Sequence, residues 1–206
     1  IDAFGNALGV SYTLERSGQR YLTVAAAAPL ARIIINADEP AISIDRFGLG
    51  DAFVQPIKLG WRVGHFDVVT AYAFYAPTGK FEPRSNAGVG RGFWTNQFSL
   101  GGADYLAEDR SRRISALVSY DLNSRKRGID LRRGNTIQVQ GGAGASVRHV
   151  ARVGLAGYAL WQVSPDGGTE LPPALRDERA RVYALGPELD AVIPSMRLRV
   201  VARFEW

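Results

Sequence analysis

Histidine is the side chain most often used in acid–base catalysis and metal binding, and this sequence holds only two, His65 and His149. Neither lies in a pattern that combines a serine nucleophile with an orienting carboxylate, so a hydrolase is not indicated. Two isolated histidines make a poor metal site, and the chain has no cysteine. We therefore expect no enzyme activity, no catalytic residue, no metal and no cofactor.

Basic residues are the second group with chemical potential, because the formal net charge is +5 and the sequence pI is about 9.7. They fall in loops and turns without a recognisable binding motif, so we expect no nucleic-acid partner. Five of them crowd one predicted loop with only Asp130 opposing them: Arg125, Lys126, Arg127, Arg132 and Arg133. Contact with lipid phosphates is one interpretation, since arginine can bind them bidentately. The alternative is a solvated loop.

The elements that position these residues show most clearly between Arg112 and Gly144. Apolar and polar residues alternate from Ile114 to Asn123, and again from Thr136 to Ala145. Strict alternation predicts strands with one apolar and one polar face, which a soluble sandwich also has. The length of these segments and their recurrence along the chain favour a membrane β-barrel.

Ten strands of this kind are predicted along the chain. They run roughly over 3–15, 20–35, 48–63, 66–76, 93–107, 112–123, 134–146, 150–163, 179–191 and 196–206. The most nearly apolar window, Tyr21 to Ile35, contains Thr23, Pro29 and Arg32, so no transmembrane helix is predicted. The fold class is therefore all-β, an antiparallel transmembrane β-barrel with about ten strands in this chain.

The predicted connections alternate between short and long. The short ones are Ser17-Gly18, Gly64-His65, Glu108 to Ser111, Val147-Arg148 and Pro194-Ser195. The long ones are Asn36 to Phe47, Pro77 to Gly92, Asn123 to Arg133 and Ser164 to Arg179. Bacterial outer-membrane barrels keep short periplasmic turns and long external loops. On this rule the last strand runs outward and the first inward, so we expect one domain over residues 1–206 that lacks a strand at each end, with about twelve strands in the whole protein.

Parity along the strands predicts which side chains face the lumen. The candidates for pore lining are Lys58, Arg62, Ser115, Ser119, Gln138, Gln140, Glu188, Asp190, Arg197, Arg199 and Arg203. The apolar residues predicted to face outward are Ile114, Val118, Ile137, Val139, Leu155, Trp161, Leu198 and Val200. A charge facing lipid near the bilayer centre costs about 2–4 kcal/mol for Arg or Lys, so inward placement is favoured. The inward charges either set the charge preference of a pore or form salt bridges that fill a closed lumen.

Several short motifs lie along the chain from Gly48 onwards: Gly48-Leu49-Gly50-Asp51, Gln55-Pro56, Leu59-Gly60-Trp61, Phe74-Tyr75-Ala76-Pro77-Thr78-Gly79-Lys80-Phe81, Gly92-Phe93-Trp94-Thr95 and Val182-Tyr183-Ala184-Leu185-Gly186-Pro187. With these motifs the chain resembles a known family, the MetA-pathway phenol-degradation family of bacterial outer-membrane channels. The resemblance covers about residues 20–206 and offers no catalytic residue to carry over.

The resemblance implies a bacterial outer-membrane barrel that passes small, often aromatic or hydrophobic, compounds. Outer-membrane lipids and small solutes would be its partners. A non-conducting structural or binding barrel and, less favoured, an outer-membrane lipid hydrolase are the alternative functions.

Overall fold

The computed structural model describes residues 2–16, 18–37, 42–83, 89–147, 151–171, 178–193, 198–204 and 206. Eleven strands lie in this part of the chain. They are β1 (Asp2–Arg16), β2 (Arg20–Ala37), β3 (Ile42–Leu49), β4 (Ala52–Val63), β5 (Phe66–Ala76), β6 (Thr95–Tyr105), β7 (Arg112–Asn123), β8 (Thr136–Val147), β9 (Ala151–Gln162), β10 (Arg181–Ile193) and β11 (Leu198–Arg203). The described residues include no helix long and apolar enough to cross a membrane.

All the strands belong to one antiparallel sheet that curves into a half-barrel. Its order is β1-β2-β4-β5-β6-β7-β8-β9-β10-β11, and each strand pairs with its neighbours in this order. The first half of β2 pairs with β4, and its second half, from Leu30 to Ala37, pairs with β3. This order is the one that short hairpins and meanders produce. The predicted class, an all-β antiparallel transmembrane barrel, is confirmed.

The two faces of the sheet differ as strand alternation requires. One face carries Ser99, Ser119 and Gln138, which lie side by side on β6, β7 and β8; we call it the inner face. Large apolar side chains point out of the other face, with Leu8 as much as 85% exposed. Among the residues predicted to face outward, Ile114, Val118, Leu155 and Val200 are exposed, and Ile137, Val139 and Trp161 are half-exposed. The side chain of Leu198 lies outside the described residues.

Aromatic rings collect on the outer face near the ends of the strands that carry the long connections. Trp161 donates a hydrogen bond from Nε1 to the Tyr183 hydroxyl at 3.0 Å, with the two rings edge to face. Phe74 packs on Trp94 with ring centroids 5.8 Å apart. Amphipathic rings are favoured at the level where hydrocarbon meets water. Their position marks one membrane interface near the long connections.

In the described part of the chain, the short connections 64–65 and 106–111 lie at one end of the sheet, which we call the turn end. The long connections after β5, β7 and β9 lie at the other end, which we call the loop end. Ser17, Arg148, Pro194 and Ser195 of the other predicted turns lie outside the described residues. At the turn end Val63 pairs with Phe66, so Gly64 and His65 alone join β4 to β5. Gly64 has φ +60°, which a two-residue hairpin of this kind favours. The segment 36–47, predicted as a loop, differs from that prediction in its second half. There Ile42–Leu49 forms β3 and pairs with the end of β2, and the β-branched residues Ile42 and Ile44 favour a strand.

β4 contains one extra residue relative to both of its neighbours. On the β5 side the register shifts between Val54 and Ile57, and on the β2 side it shifts between Thr23 and Ala25. The extra residue falls at Gln55-Pro56, and proline cannot donate to a ladder, so a bulge is the position that tolerates it. The bulge lets Phe53, Gln55 and Lys58 all reach the inner face.

β1 and β11 are the outermost strands of the sheet in the described part of the chain, and no pairing there joins them. β1 begins opposite Ile34 at the loop end. The segment after β11 runs along β10 towards the loop end, and the Trp206 N–H donates to the Leu185 carbonyl. The expected lack of a strand at each end stays a prediction.

Candidate functional site

Uncharged polar residues cover the middle of the inner face because every second residue of β6, β7 and β8 points inward. The Ser99 and Ser119 hydroxyls lie 2.8 Å apart, and the Gln97 amide donates to Asp121 at 2.9 Å. Above them Thr95, fully buried, donates to the Asn123 side chain at 2.7 Å. Each of these side chains is satisfied by a neighbour across the strands, so the wall is polar and fixed in position.

Two adjoining cavities run along this wall. The loop-side cavity, of about 330 Å³, is bounded by Phe53, Gln55, Lys58, Tyr75, Gln97 and Gln138 among others. The turn-side cavity, of about 370 Å³, is bounded by Tyr21, Asp67, Arg113, Arg152, Glu188 and Arg203 among others. Val69, Leu117 and Gln140 border both, so the cavities form one path along the inner face.

Charged pairs dominate the turn-side cavity and its margin. Glu188 pairs with Arg203, and Arg152 Nη1 lies 3.5 Å from Asp190, which is buried. Asp67 accepts from Arg110 at 2.8 Å and from Arg62 at 3.4 Å. Most of the charge on this part of the wall is therefore compensated within the protein.

Most of the predicted lumen residues can be located on the inner face. Lys58, Ser119 and Gln138 border the loop-side cavity, Ser115, Glu188 and Arg203 border the turn-side cavity, and Gln140 borders both. Arg62 and Asp190 lie beside the cavities in the ion pairs just described. Arg199 pairs through its backbone with Val192, but its side chain lies outside the described residues, as does the whole of Arg197. Their role in lining a pore stays a prediction.

The motif residues meet at the loop end around one buried carboxylate. Asp51, only 6% exposed, accepts from the Gly79 N–H at 3.1 Å and the Arg91 N–H at 2.9 Å. The Arg91 guanidinium returns to Asp51 and lies 4.7 Å from the centre of the Tyr75 ring. Gly79 and Gly90 touch so closely that a Cβ added to Gly79 would lie 2.8 Å from the Gly90 Cα. The described parts of the connection, 77–83 and 89–94, are thereby tied to the start of β4.

The three long connections after β5, β7 and β9 also contact one another. The Arg127 N–H bonds the Gly92 carbonyl at 2.8 Å, linking segment 124–135 to segment 77–94. Arg132 and Gly167 exchange two backbone hydrogen bonds, linking 124–135 to 163–171. We call these joined segments the loop cluster. It lies at the loop end of the same inner wall that borders the cavities.

Two aspartates hold segments 124–135 and 163–171 together. Asp166 accepts from the Gly134 N–H at 2.8 Å, from Gln162 at 2.7 Å and from Arg133. Burial alone would raise the pKa of Asp166, but these hydrogen bonds and the Arg133 charge hold its pKa below the ordinary value. Hydrogen bonds from the Thr169 N–H and hydroxyl, with the Arg125 charge, also lower the pKa of Asp130.

The five basic residues of segment 124–135 do not share one environment. Arg125 pairs with Asp130, and Arg133 pairs with Asp166, an acid that the sequence interpretation did not include. The Lys126 ammonium lies 5.4 Å from the centre of the Phe81 ring, and burial, with repulsion from Arg133, lowers the pKa of Lys126. Arg127 and Arg132 are exposed, although Arg132 Nε donates to the Asn123 carbonyl. Their contact with lipid phosphates stays a prediction.

Sequence reasoning missed Asp51, Arg91 and Asp166 as organising residues, and Phe53 and Tyr75 as cavity residues. The sequence signal for Asp51 is that it follows Gly48-Leu49-Gly50, because an aspartate after glycines can accept hydrogen bonds from nearby main-chain N–H groups. Parity from Ala71 would have placed Tyr75 inside. Nothing in the sequence signals the partnership of Gly134 with Asp166, because it depends on contacts between distant loops.

A polar, cavity-bearing inner face, an apolar outer face with interfacial aromatics, and long connections gathered at one end define the transmembrane β-barrel class. The chain belongs to the family described as "Putative MetA-pathway of phenol degradation", whose model matches residues 1–204. This confirms the family resemblance found in the motifs.

A solved structure agrees with the fold. The crystal structure of an outer membrane channel from Pseudomonas putida F1 matches with a TM-score of 0.80 at 14% sequence identity, over 92% of this chain and 70% of that one. At this identity the likeness concerns the fold. No curated protein matches the sequence.

Proposed function

We propose that the protein is a channel of the bacterial outer membrane through which small molecules pass passively. The observation that carries the proposal is the pair of adjoining cavities along a polar inner wall, opposite an apolar outer face. Membership of the family and the likeness to an outer membrane channel support a channel rather than an enzyme. Aromatic or hydrophobic solutes are the finer part of the proposal, supported by the Phe53 and Tyr75 rings in the loop-side cavity.

The cavities supply what a passive pathway needs. Side-chain amides of Gln55, Gln97 and Gln138 offer hydrogen bonds that replace part of a solute's hydration, and the rings accept its apolar surface. Neither group binds a small solute so strongly that it could not leave. Conduction requires such moderate binding at successive positions.

A non-conducting barrel is the second candidate, and the ion pairs of the turn end favour it. Glu188 with Arg203 and Arg152 with Asp190 place charged pairs on the wall of the turn-side cavity, where they could close the path. The loop cluster gathers over the opposite end. A binding or structural barrel would use the same architecture without passage.

Electrical recording of the full chain in a planar bilayer separates the two. A channel gives discrete conductance steps, and the Gln138→Trp substitution, which fills the loop-side cavity, lowers the step size. The matched control is Val139→Trp, which places the same ring on the outer face and leaves the step size unchanged. Insertion verified by protease protection with no current steps would contradict the channel and favour the closed barrel.

A further inference from the structure

Lys58 is the charged residue that borders the loop-side cavity, and it differs from most charged residues of the turn-side cavity in what surrounds it. Arg62, Arg152 and Arg203 each pair with a carboxylate. Within the described part of the chain, no carboxylate lies within ion-pair distance of the Lys58 ammonium, and it has no hydrogen-bond partner there. An ammonium in a partly enclosed polar cavity is strongly attractive to an anion that can reach it. Lys58 is therefore a binding group without an internal partner.

Two carboxylates nearer the loop end are bound to groups other than Lys58. Asp121 accepts hydrogen bonds from the Gln97 amide on β6, at 2.9 Å, and from the Thr136 hydroxyl on β8. Asp51, at the loop end, is bound to Gly79 and Arg91. Both carboxylates are held by other groups, so the charge of Lys58 faces the cavity.

Two aromatic rings border the same cavity closer to the loop end. Phe53 and Tyr75 lie opposite each other on β4 and β5 with ring centroids 5.2 Å apart. Lys58 lies opposite Ala71, four residues along β5 from Tyr75. That is about 13 Å along the strand, measured between backbone positions, and both side chains border the same cavity. Gln55, Gln97 and Gln138 border the same cavity.

We propose that the loop-side cavity is a binding site for small aromatic carboxylates, with the carboxylate on Lys58 and the ring against Phe53 and Tyr75. The inference rests on the proposed function, because it names the chemical class of solute that the channel would select. A cavity of about 330 Å³ holds a single-ring acid with room for water. A neutral aromatic would find the rings and amides but leave the ammonium unpaired, and a small aliphatic acid would leave the rings uncovered.

Equilibrium binding to the full chain in detergent micelles, read by saturation-transfer NMR, tests the site with three probes. Benzoate has the ring and the charge, benzyl alcohol has the ring alone, and acetate has the charge alone. We expect benzoate to bind about tenfold more tightly than either of the others, as a charge-assisted contact allows. Equal affinities for benzoate and benzyl alcohol would overturn the proposal.

Variants assign the effect to Lys58. Lys58→Gln should lower benzoate affinity to that of benzyl alcohol, and Lys58→Arg should keep most of it. Arg113→Gln removes an equal charge from the turn-side cavity, and Lys80→Gln removes one from an exposed pair with Glu82; both should leave benzoate affinity within about twofold. A loss in Arg113→Gln as large as in Lys58→Gln would show a general field rather than a site and would overturn the proposal.

The binding assay and the electrical recording fail independently. Discrete current steps with no preference for benzoate would overturn the carboxylate site and leave the channel standing. Binding that depends on Lys58 in a protein without current steps would support the site and contradict passage. Folding of each variant is checked by heat-modifiable migration on a gel before binding is measured.

Discussion

The loop end and the turn end of the half-barrel are held together by different interactions. At the loop end, carboxylates of Asp51, Asp130 and Asp166 accept hydrogen bonds from main-chain N–H groups of distant segments. At the turn end the connections are short, and Asp67 instead forms ion pairs with the side chains of Arg62 and Arg110. The difference follows from length, because a long connection leaves main-chain groups that no ladder satisfies. At the loop end, aspartate carboxylates accept the hydrogen bonds that a neighbouring strand would otherwise accept.

The largest effect is expected from Asp51→Ala, which removes the acceptor of the Gly79 and Arg91 N–H groups. Leaving the buried Gly79 N–H and the part-buried Arg91 N–H unsatisfied should lower the free energy of unfolding by about 2–4 kcal/mol. Chemical denaturation of the full chain in detergent measures it. Asp45→Ala is the control, because Asp45 forms an exposed pair with Arg32 and should change stability little. Equal effects of the two substitutions would contradict the role given to the loop-end carboxylates.

Gly79→Ala should be the next most damaging substitution. The added Cβ would lie 2.8 Å from the Gly50 carbonyl carbon and from the Gly90 Cα, and backbone cannot move aside as a side chain can. Overpacking of this kind costs about 1–3 kcal/mol. Gly167→Ala adds the same methyl in the same loop cluster where nothing lies within 4 Å, and its stability should match the original. Thermal unfolding of both variants makes the comparison.

The contact between segments 124–135 and 163–171 should weaken in acid. The folded pKa values of Asp130 and Asp166 are lowered, so their stabilisation is complete above the unfolded value of about 3.9 and is lost as the pH falls through the folded values. Hydrogen exchange of both segments, corrected for its intrinsic pH dependence, should therefore accelerate below about pH 4. In Asp166→Asn the exchange should be faster at neutral pH and depend less on pH. Exchange in β6 serves as the internal reference.

The smallest effect is expected at the turn end, from Arg62→Gln. The Arg62 side chain is half exposed, and Asp67 keeps Arg110 as a partner. The loss should be under about 1 kcal/mol and should shrink further in 1 M salt, since exposed pairs are screened. Unfolding at low and high salt measures it. A loss as large as that of Asp51→Ala would remove the distinction between the two ends.

Period-two alternation was sufficient to predict the strands, their antiparallel class and the faces of β7 and β8, because each of these is a local property of the chain. The same reasoning missed β3, because the alternation of short and long connections assigned segment 36–47 to a loop. It also missed Asp51 and Asp166 as acceptors of main-chain hydrogen bonds. The Arg91 N–H that binds Asp51 lies 40 residues away in the chain, and the Gly134 N–H that binds Asp166 lies 32 residues away. Contacts between loops depend on how the curved sheet brings distant segments together, which no single segment encodes.

The extra residue of β4 has a consequence for how sequences of this family can change in length. A one-residue insertion or deletion inside a regular strand exchanges its lumen-facing and lipid-facing residues from that point onward. At Gln55-Pro56 the strand already holds one residue more than β2 and β5, so deletion of Pro56 would restore regular pairing and keep Gln55 and Lys58 inside. Length variation within the strands of relatives should therefore concentrate at this position, while the rest of the wall conserves its length.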